Sequence, residues 1–188
     1  MTNVLFINAC IRDNSRTLDL ARCVLDRIED GEVHEVNLGG ENLSPIGLAE
    51  LEVRDKAHRS GDYSDSTFDL AKQFALADTI VVATPYWDLT FPSILKIYLE
   101  RITVNGLTFT YSKEGRPVGL CKAQKLVYVT TAGGPIKCNF GYEYVSALAK
   151  NFYGIADVEF LSAEGLDVYG ADVDKILHDA KSSLTDKI

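Results

Sequence analysis

The sequence predicts an α/β protein: a doubly wound parallel sheet of five strands in the order 2-1-3-4-5. Strand and helix patterns alternate along the whole chain of 188 residues. Two of the strand patterns, Thr79–Ala83 and Lys125–Thr130, are apolar on both faces, which is typical of strands inside a sheet that helices cover on both sides. A single ligand crevice between the first and third strands favours this order over the other common one.

Each element has its own local pattern. In the first helix Leu18, Ala21, Leu25 and Ile28 recur at helical spacing, and Gly31 marks its predicted end. In the second strand, apolar and polar residues alternate, which is typical of a strand at the edge of a sheet. Strands are predicted at Val4–Ile7, Val33–Leu38, Thr79–Ala83, Lys125–Thr130 and Asp157–Ala163, helices at Arg16–Glu29, Leu48–Ala57, Ser66–Leu76, Pro92–Val104, Tyr142–Phe152 and Ala171–Leu184, and a small hairpin at Leu107–Tyr111 and Pro117–Leu120.

Length and composition indicate one domain spanning residues 1–188. The net charge is -8, so nucleic acid is not expected as a partner, because phosphate binding on that scale requires a basic face. The apolar runs are short and no signal peptide is visible, so we expect no membrane association and a cytoplasmic location. The polar segment 39–64 exceeds normal loop length, which is typical of a lid or a dimer contact.

The four cysteines, Cys10, Cys23, Cys121 and Cys138, form no Cys-x-x-Cys pair and no compact cluster. No metal or iron–sulfur site is therefore expected. Cys10 and Cys138 fall in predicted loops, where we interpret them as reduced thiols without a catalytic role.

The loop after the first strand has the features of an anion site. It lacks the glycine pattern of dinucleotide folds and the Gly-Lys-Ser/Thr ending of a P-loop. It does offer the hydroxyls of Ser15 and Thr17 at the start of a helix, with Arg12 and Arg16 beside them. Free backbone N–H groups and the helix dipole favour an anion there, so the loop suits a phosphate monoester. The alternative is that Ser15, or Asn14, only caps the helix.

Two further loops follow the third and fourth strands of the predicted sheet. In Pro85–Phe91, the aromatic side chains of Tyr86 and Trp87 stand where open α/β sheets bind ligands, and they suit a flat cofactor. In Thr130–Pro135, paired glycines let the backbone approach a ligand closely. Taken alone, each loop has an alternative interpretation. The alternative for the first is that its aromatic side chains only pack in the core, and the alternative for the second is that its glycines form a plain turn. Since all three loops open on one sheet edge, together they predict a flavin mononucleotide (FMN) site.

These motifs resemble those of the flavodoxin-like NAD(P)H oxidoreductases, namely the FMN-dependent azoreductases and NAD(P)H:quinone reductases. The resemblance is carried by Ser15-Arg16-Thr17, by Thr84–Leu89 running into Leu95–Leu99, by Gly106–Tyr111 and by Thr131–Gly134. It implies a flavodoxin-like fold, FMN as cofactor with FAD as the alternative, and NAD(P)H as hydride donor. It also implies a quinone, azo compound or similar aromatic molecule as acceptor, and a homodimer.

The resemblance also assigns site residues. It implies phosphate contacts at Cys10, Ser15, Arg16 and Thr17, isoalloxazine contacts at Pro85, Tyr86, Trp87, Asp88 and Leu89, and contacts to the polar edge of the ring at Thr131, Ala132, Gly133 and Gly134. Trp87, Phe140 and Tyr142 are predicted to contact the substrate. No catalytic protein residue is expected, because the flavin carries the chemistry.

Two residues depart from the pattern of the azoreductases. Cys10 stands where they usually have serine, which weakens one expected phosphate contact, and Asp88 stands where they often have asparagine. A carboxylate at Asp88 can accept from a flavin N–H but cannot donate, so it affects redox potential and substrate range. A non-enzymatic flavodoxin-type electron carrier and a cofactor-free binding module are the alternative functions.

Overall fold

The computed structural model describes residues 1–184, so residues 185–188 of the predicted domain lie outside the described part. The strands are β1 (Thr2–Asn8), β2 (Gly31–Asn37), β3 (Thr79–Ala83), β4 (Phe109–Tyr111), β5 (Pro117–Gly119), β6 (Lys125–Thr131) and β7 (Asp157–Ala163). The helices are α1 (Arg16–Leu25), α2 (Leu48–Ser60), α3 (Asp69–Leu76), α4 (Ser93–Ile102), α5 (Phe140–Leu148) and α6 (Val173–Ser182). A 3₁₀ turn at Ser66–Phe68 precedes α3, and a π-helical turn at Ala149–Tyr153 follows α5.

The main sheet has five strands in the order β2-β1-β3-β6-β7, and every pair is parallel. When the separate antiparallel hairpin of β4 and β5 is set aside, this is the predicted order 2-1-3-4-5, which is confirmed. β1 and β3 end side by side, because Asn8 pairs with Ala83, while β6 continues two residues beyond Val129, the partner of Ala83, to Thr131. Since the strands are parallel, the loops that follow β1, β3 and β6 all leave the sheet at its carboxyl edge.

Alternate side chains of the central strands fill two separate cores. On one face, β1, β3 and β6 pack against α1 and α6. On the other face they pack against α2, α3, α4 and α5, with Tyr98 of α4 and Tyr128 of β6 among the largest fully buried side chains. Both faces are thus covered, which explains why the inner strands are apolar without alternation.

The first helix is shorter than the sequence predicts. It ends at Leu25 rather than Glu29, and the chain turns back through Asp30, whose φ is +55°. Gly31 does not end the helix; it is the first residue of β2 and pairs with Thr2. A Cβ atom at Gly31 would lie 3.1 Å from Val4 Cγ2, so the glycine permits close packing where β2 joins the sheet.

The segment 39–64 packs against the end of α4. Arg54 of α2 donates hydrogen bonds to the carbonyl oxygens of Glu100, Arg101 and Thr103, at 3.1, 2.8 and 3.3 Å. A guanidinium there satisfies the carbonyl groups that a helix leaves unpaired at its carboxyl end. No residue of 39–64 lines the cleft described below, and the use of this segment as a lid or a dimer contact stays a prediction.

No helix within residues 1–184 combines the length and the apolar character that crossing a membrane requires.

The β4–β5 hairpin depends on a glycine where it meets the π-helical turn. A Cβ atom at Gly119 would lie 2.2 Å from the carbonyl carbon of Tyr153 and 2.3 Å from the backbone nitrogen of Gly154. Backbone cannot yield as a flexible side chain can, so we expect Gly119→Ala to lower the free energy of unfolding by about 2–3 kcal/mol. Urea denaturation measures this change.

Gly47→Ala is the matched control, because nothing lies within 4 Å of a Cβ atom at Gly47 and its φ is -99°. We expect it to cost less than about 1 kcal/mol. Equal losses in the two variants would contradict the packing described for Gly119.

Candidate active site

The three loops singled out in the sequence meet in one cleft at the carboxyl edge of the sheet. The cleft has a volume of about 330 Å³, and Ser15, Trp87 and Gly133 all line it. These residues come from the start of α1, the loop after β3 and the loop after β6. The parallel pairing of β1, β3 and β6 brings the loops together at one edge, although long stretches of sequence separate them.

One end of the cleft is formed by the first turn of α1. Ser15 Oγ accepts a hydrogen bond from the backbone N–H of Leu18 at 3.2 Å, so Ser15 does cap the helix. A hydroxyl that accepts in this way still has its proton to donate to a ligand. Thr17 Oγ1 lies 2.6 Å from Thr131 Oγ1, and this pair uses only one of its two protons. The capping and anion-binding interpretations of this loop are therefore compatible.

Two guanidinium groups and one carboxylate give this end its charge. Arg12 is exposed and lines the cleft. Arg16 Nη1 lies 2.9 Å from Asp167 Oδ1 and donates to the carbonyl oxygen of Leu166 at 3.4 Å. Leu166 and Asp167 belong to the loop after β7, which the sequence analysis did not include in the site. No local motif marks this loop; only the sheet order, which places β7 beside β6, could have pointed to it.

The side chain of Asp167 lies close to Gly133, one of the paired glycines. A Cβ atom at Gly133 would lie 2.4 Å from Asp167 Oδ2. The close approach predicted at Gly133 is therefore made by a side chain of the protein itself. Gly134, in contrast, has nothing within 4 Å of a Cβ position and is not among the residues that line the cleft.

Cys10 lies under the same end of the cleft. It is 7% exposed, its backbone N–H donates to Asn8 Oδ1 at 2.9 Å, and its thiol lies 3.8 Å from the carbonyl oxygen of Ala83. Burial raises the pKa of the Cys10 thiol above its usual range; this outweighs the hydrogen bond with the Ser15 side chain, which lowers the pKa, and the nearby Glu35 raises it slightly further. The thiol is thus neutral near pH 7, and it brings no negative charge to the cleft.

The other end of the cleft is aromatic. The backbone N–H of Tyr86 donates to the carbonyl oxygen of Thr131 at 3.1 Å, and its hydroxyl donates to the carbonyl oxygen of Cys138 at 2.6 Å. These bonds fix the loop after β3 against the loop after β6. Trp87 is 42% exposed, so its ring is not core packing and presents a surface to the cleft.

A second cavity, of about 750 Å³, is also lined by Trp87. Its lining is mainly apolar and aromatic and includes Leu89, Phe91, Phe140 and Tyr144, with Lys96 as its cation. Leu89 and Phe140 are half exposed, at 50% and 54%. Trp87 lines both cavities, so they adjoin at this residue.

The predicted site residues divide between these two cavities. The cleft is lined by Cys10, Arg12, Ser15, Arg16, Thr17, Pro85, Tyr86, Trp87, Thr131, Ala132 and Gly133. Asp88, Leu89 and Phe140 line the second cavity, and Gly134 lines neither.

Tyr142 lies elsewhere and is a correction to the predicted substrate contacts. It packs against Tyr128 and Phe160, with ring centroids 5.9 and 4.7 Å apart, because the first turn of α5 directs it back onto the sheet. Tyr144, two residues further along, lines the second cavity instead.

A family model described as a flavodoxin-like fold matches residues 2–188. The chain belongs to this flavodoxin-like family.

The flavodoxin-like chain is similar to several proteins over nearly its full length. It is 34% identical to the FMN-dependent NADH:quinone oxidoreductase of Coprothermobacter proteolyticus, with 96% of this chain and 94% of that protein covered. It is 35% identical to the protein of the same description from Clostridium beijerinckii, with the same coverage. Among solved structures it is similar to an azoreductase from Bacillus anthracis, with a TM-score of 0.83, 26% identity, and 97% and 96% of the two chains covered.

Between the two cavities of this flavodoxin-like chain lies a strained hairpin turn. Trp87 and Thr90 exchange backbone hydrogen bonds of 3.0 and 2.8 Å, and the two residues between them, Asp88 and Leu89, have φ values of +50° and +68°. This is the conformation of a type I′ turn, whose second position normally holds glycine. Leucine carries a steric cost there, and a bond from the Phe140 N–H to the Leu89 carbonyl oxygen, at 3.1 Å, helps to hold it.

The strain at Leu89 predicts an order of stabilities. Leu89→Gly removes the steric cost, so we expect it to be at least as stable as the natural protein despite the greater flexibility of glycine in the unfolded chain. Leu89→Val places a β-branched residue at positive φ, and we expect it to lower the free energy of unfolding by about 1–2 kcal/mol. Urea denaturation of both variants measures the order, and a valine variant as stable as the glycine variant would contradict it.

Proposed function

We propose that this chain is a flavin-dependent oxidoreductase, which passes a hydride from NAD(P)H through FMN to a quinone, an azo compound or a similar aromatic acceptor. The observation that carries the proposal is one cleft with an anion-binding end and an aromatic end, next to an apolar cavity that shares Trp87 with it. The relatives described as FMN-dependent NADH:quinone oxidoreductases support the same chemistry.

The residues of the cleft fit FMN. Its volume of about 330 Å³ lies in the range of small-molecule sites. The end at α1 offers a helix N-terminus, free hydroxyl protons and two arginines, which together suit a phosphate group. The neutral thiol of Cys10 replaces a stronger donor there but does not repel an anion. At the far end, the exposed face of Trp87 suits a planar ring.

When bound, FMN supplies hydride acceptance and two-electron transfer, the chemistry that no side chain of this protein can supply. The protein holds and orients it. Ser15, Thr17 and the arginines bind the phosphate end, while Tyr86 and Trp87 position the ring. The Tyr86 hydroxyl donates to the Cys138 carbonyl oxygen, so it fixes the loop and does not act as an acid. No protein nucleophile takes part.

The apolar cavity is the proposed acceptor site. Its aromatic lining, which includes Trp87, Phe140 and Tyr144, suits a flat ring. Phe140 and Trp87 thus remain proposed substrate contacts, with Tyr144 in place of Tyr142. A cavity of about 750 Å³ favours an enzyme over a non-enzymatic electron carrier, which needs no substrate cavity. NADH is the proposed donor, since it is the donor in the names of the relatives.

The proposal extends to assembly and location. Exposed apolar side chains at Trp87, Leu89 and Phe140 form a rim that a second copy would cover, which supports a homodimer. All four cysteines are free, which supports a reducing compartment and hence the cytoplasm. We further propose that residues 1–188 act as one FMN-binding domain.

Purification and turnover test the proposed function together. We expect the purified protein to be yellow and to release a chromophore with the mass of FMN, and to consume NADH steadily when a quinone is present. Stoichiometric reduction by NADH without turnover to quinone would favour an electron carrier. A colourless protein that takes up no FMN would favour a binding module and sink the proposal.

The phosphate end is tested by Ser15→Asp. Aspartate caps a helix as well as serine, so α1 is retained, but its charge repels a phosphate. We expect the dissociation constant for FMN to rise at least tenfold, as measured by quenching of flavin fluorescence. Riboflavin lacks the phosphate and is the control; its affinity stays within about twofold. Equal losses for both flavins would show that the phosphate does not bind at Ser15.

A further inference from the structure

We infer that Asp167 competes with the phosphate of the cofactor for the Arg16 guanidinium, and so sets how strongly the chain prefers FMN to riboflavin. The inference rests on the proposed function and deepens it. It assigns a role to a residue of the loop after β7, beyond the sequence motifs of the site. The role is one of specificity: Asp167 weakens cofactor binding in a way that depends on the charge of the ligand.

The position of Asp167 is built into the fold. Its backbone N–H donates to the carbonyl oxygen of Gly133 at 2.8 Å, and the N–H of Leu166 donates to that of Ala132 at 3.2 Å. These bonds fix the loop after β7 against the loop after β6. Oδ2 of Asp167 lies 2.4 Å from where a Cβ atom of residue 133 would stand, so the glycine leaves room for the carboxylate in this position. Asp167 is thus part of the wall of the cleft.

The ion pair it makes contributes little to the fold. The side chains of Arg16 and Asp167 are 43% and 69% exposed, and one nitrogen, Nη1, makes both contacts of the guanidinium with Asp167 and Leu166. Exposed pairs of this kind stabilise a protein by at most about 1 kcal/mol. A need for stability therefore does not account for a carboxylate at this place.

The Asp167 carboxylate has a larger effect on the binding of an anion than on the stability of the fold. A phosphate monoester carries nearly two negative charges at neutral pH. Arg12 and Arg16 are the arginines that line the cleft, and Asp167 neutralises one of them. To bind the phosphate fully, Arg16 must exchange the carboxylate for it or share itself between the two. The carboxylate also repels the phosphate directly.

Asp167→Asn tests the inference, because asparagine keeps the size of the side chain and an oxygen that accepts from Arg16 but removes the charge. Flavins are titrated into the full-length protein after bound flavin has been removed, and fluorescence quenching gives the dissociation constants. We expect FMN to bind about tenfold more tightly and riboflavin to change by less than twofold. Glu114→Gln, in the exposed turn of the β4–β5 hairpin, makes the same change in net charge and should leave both affinities within twofold.

The variant Arg16→Gln separates competition from general repulsion. If the carboxylate acts by competing for Arg16, Asp167→Asn should improve FMN binding by less than about threefold once Arg16 is absent. A full tenfold gain in that background would overturn the inference, as would an unchanged or weaker preference for FMN in Asp167→Asn alone. Failure of the natural protein to bind either flavin would instead overturn the proposed function, and this inference with it.

Discussion

The parallel pairing of the buried strands is the constraint on which the rest of this structure depends. Asn8, Ala83 and Val129 lie side by side across β1, β3 and β6; β1 and β3 end there, and β6 runs two residues further, to Thr131. Because the strands are parallel, the chain leaves all three of them in loops at the same edge of the sheet. Helices on both faces return the chain to the opposite edge, so every one of these loops faces the same cleft.

The positive groups at one end of the cleft contrast with the negative net charge of the chain. The protein carries a net charge of -8, yet the cleft has two arginines and a helix N-terminus at one end. Burial of Cys10 keeps a potential anion neutral there, while Asp167 returns one negative charge to the wall. The balance of these groups, and not the presence of arginine alone, determines what the cleft binds. The aromatic end and the apolar cavity then meet at Trp87, so a cofactor and an acceptor can be held on adjoining surfaces.

Sequence patterns predicted the strand order and the meeting of the loops, because both follow from apolar periodicity and from the topology of parallel sheets. They did not predict the contacts between residues that are far apart in the sequence. The role of Asp167 depends on the pairing of β7 with β6, and the sequence Asp88-Leu89 contains no glycine to signal a type I′ turn. Tyr142 and Tyr144 differ by two positions on one helix, and only the direction of α5 decides which reaches the cavity. Gly31 was wrongly predicted to end the first helix, and the sequence did not indicate that Val4 and Asp167 are the neighbours that lie close to Gly31 and Gly133.

The most direct test of the account is a crystal structure of the protein with FMN. The account predicts the phosphate at the start of α1, within hydrogen-bond distance of the Ser15 hydroxyl, and the isoalloxazine ring against Trp87, with the second cavity open beside it. A phosphate bound away from α1, or a ring that does not touch Trp87, would contradict it.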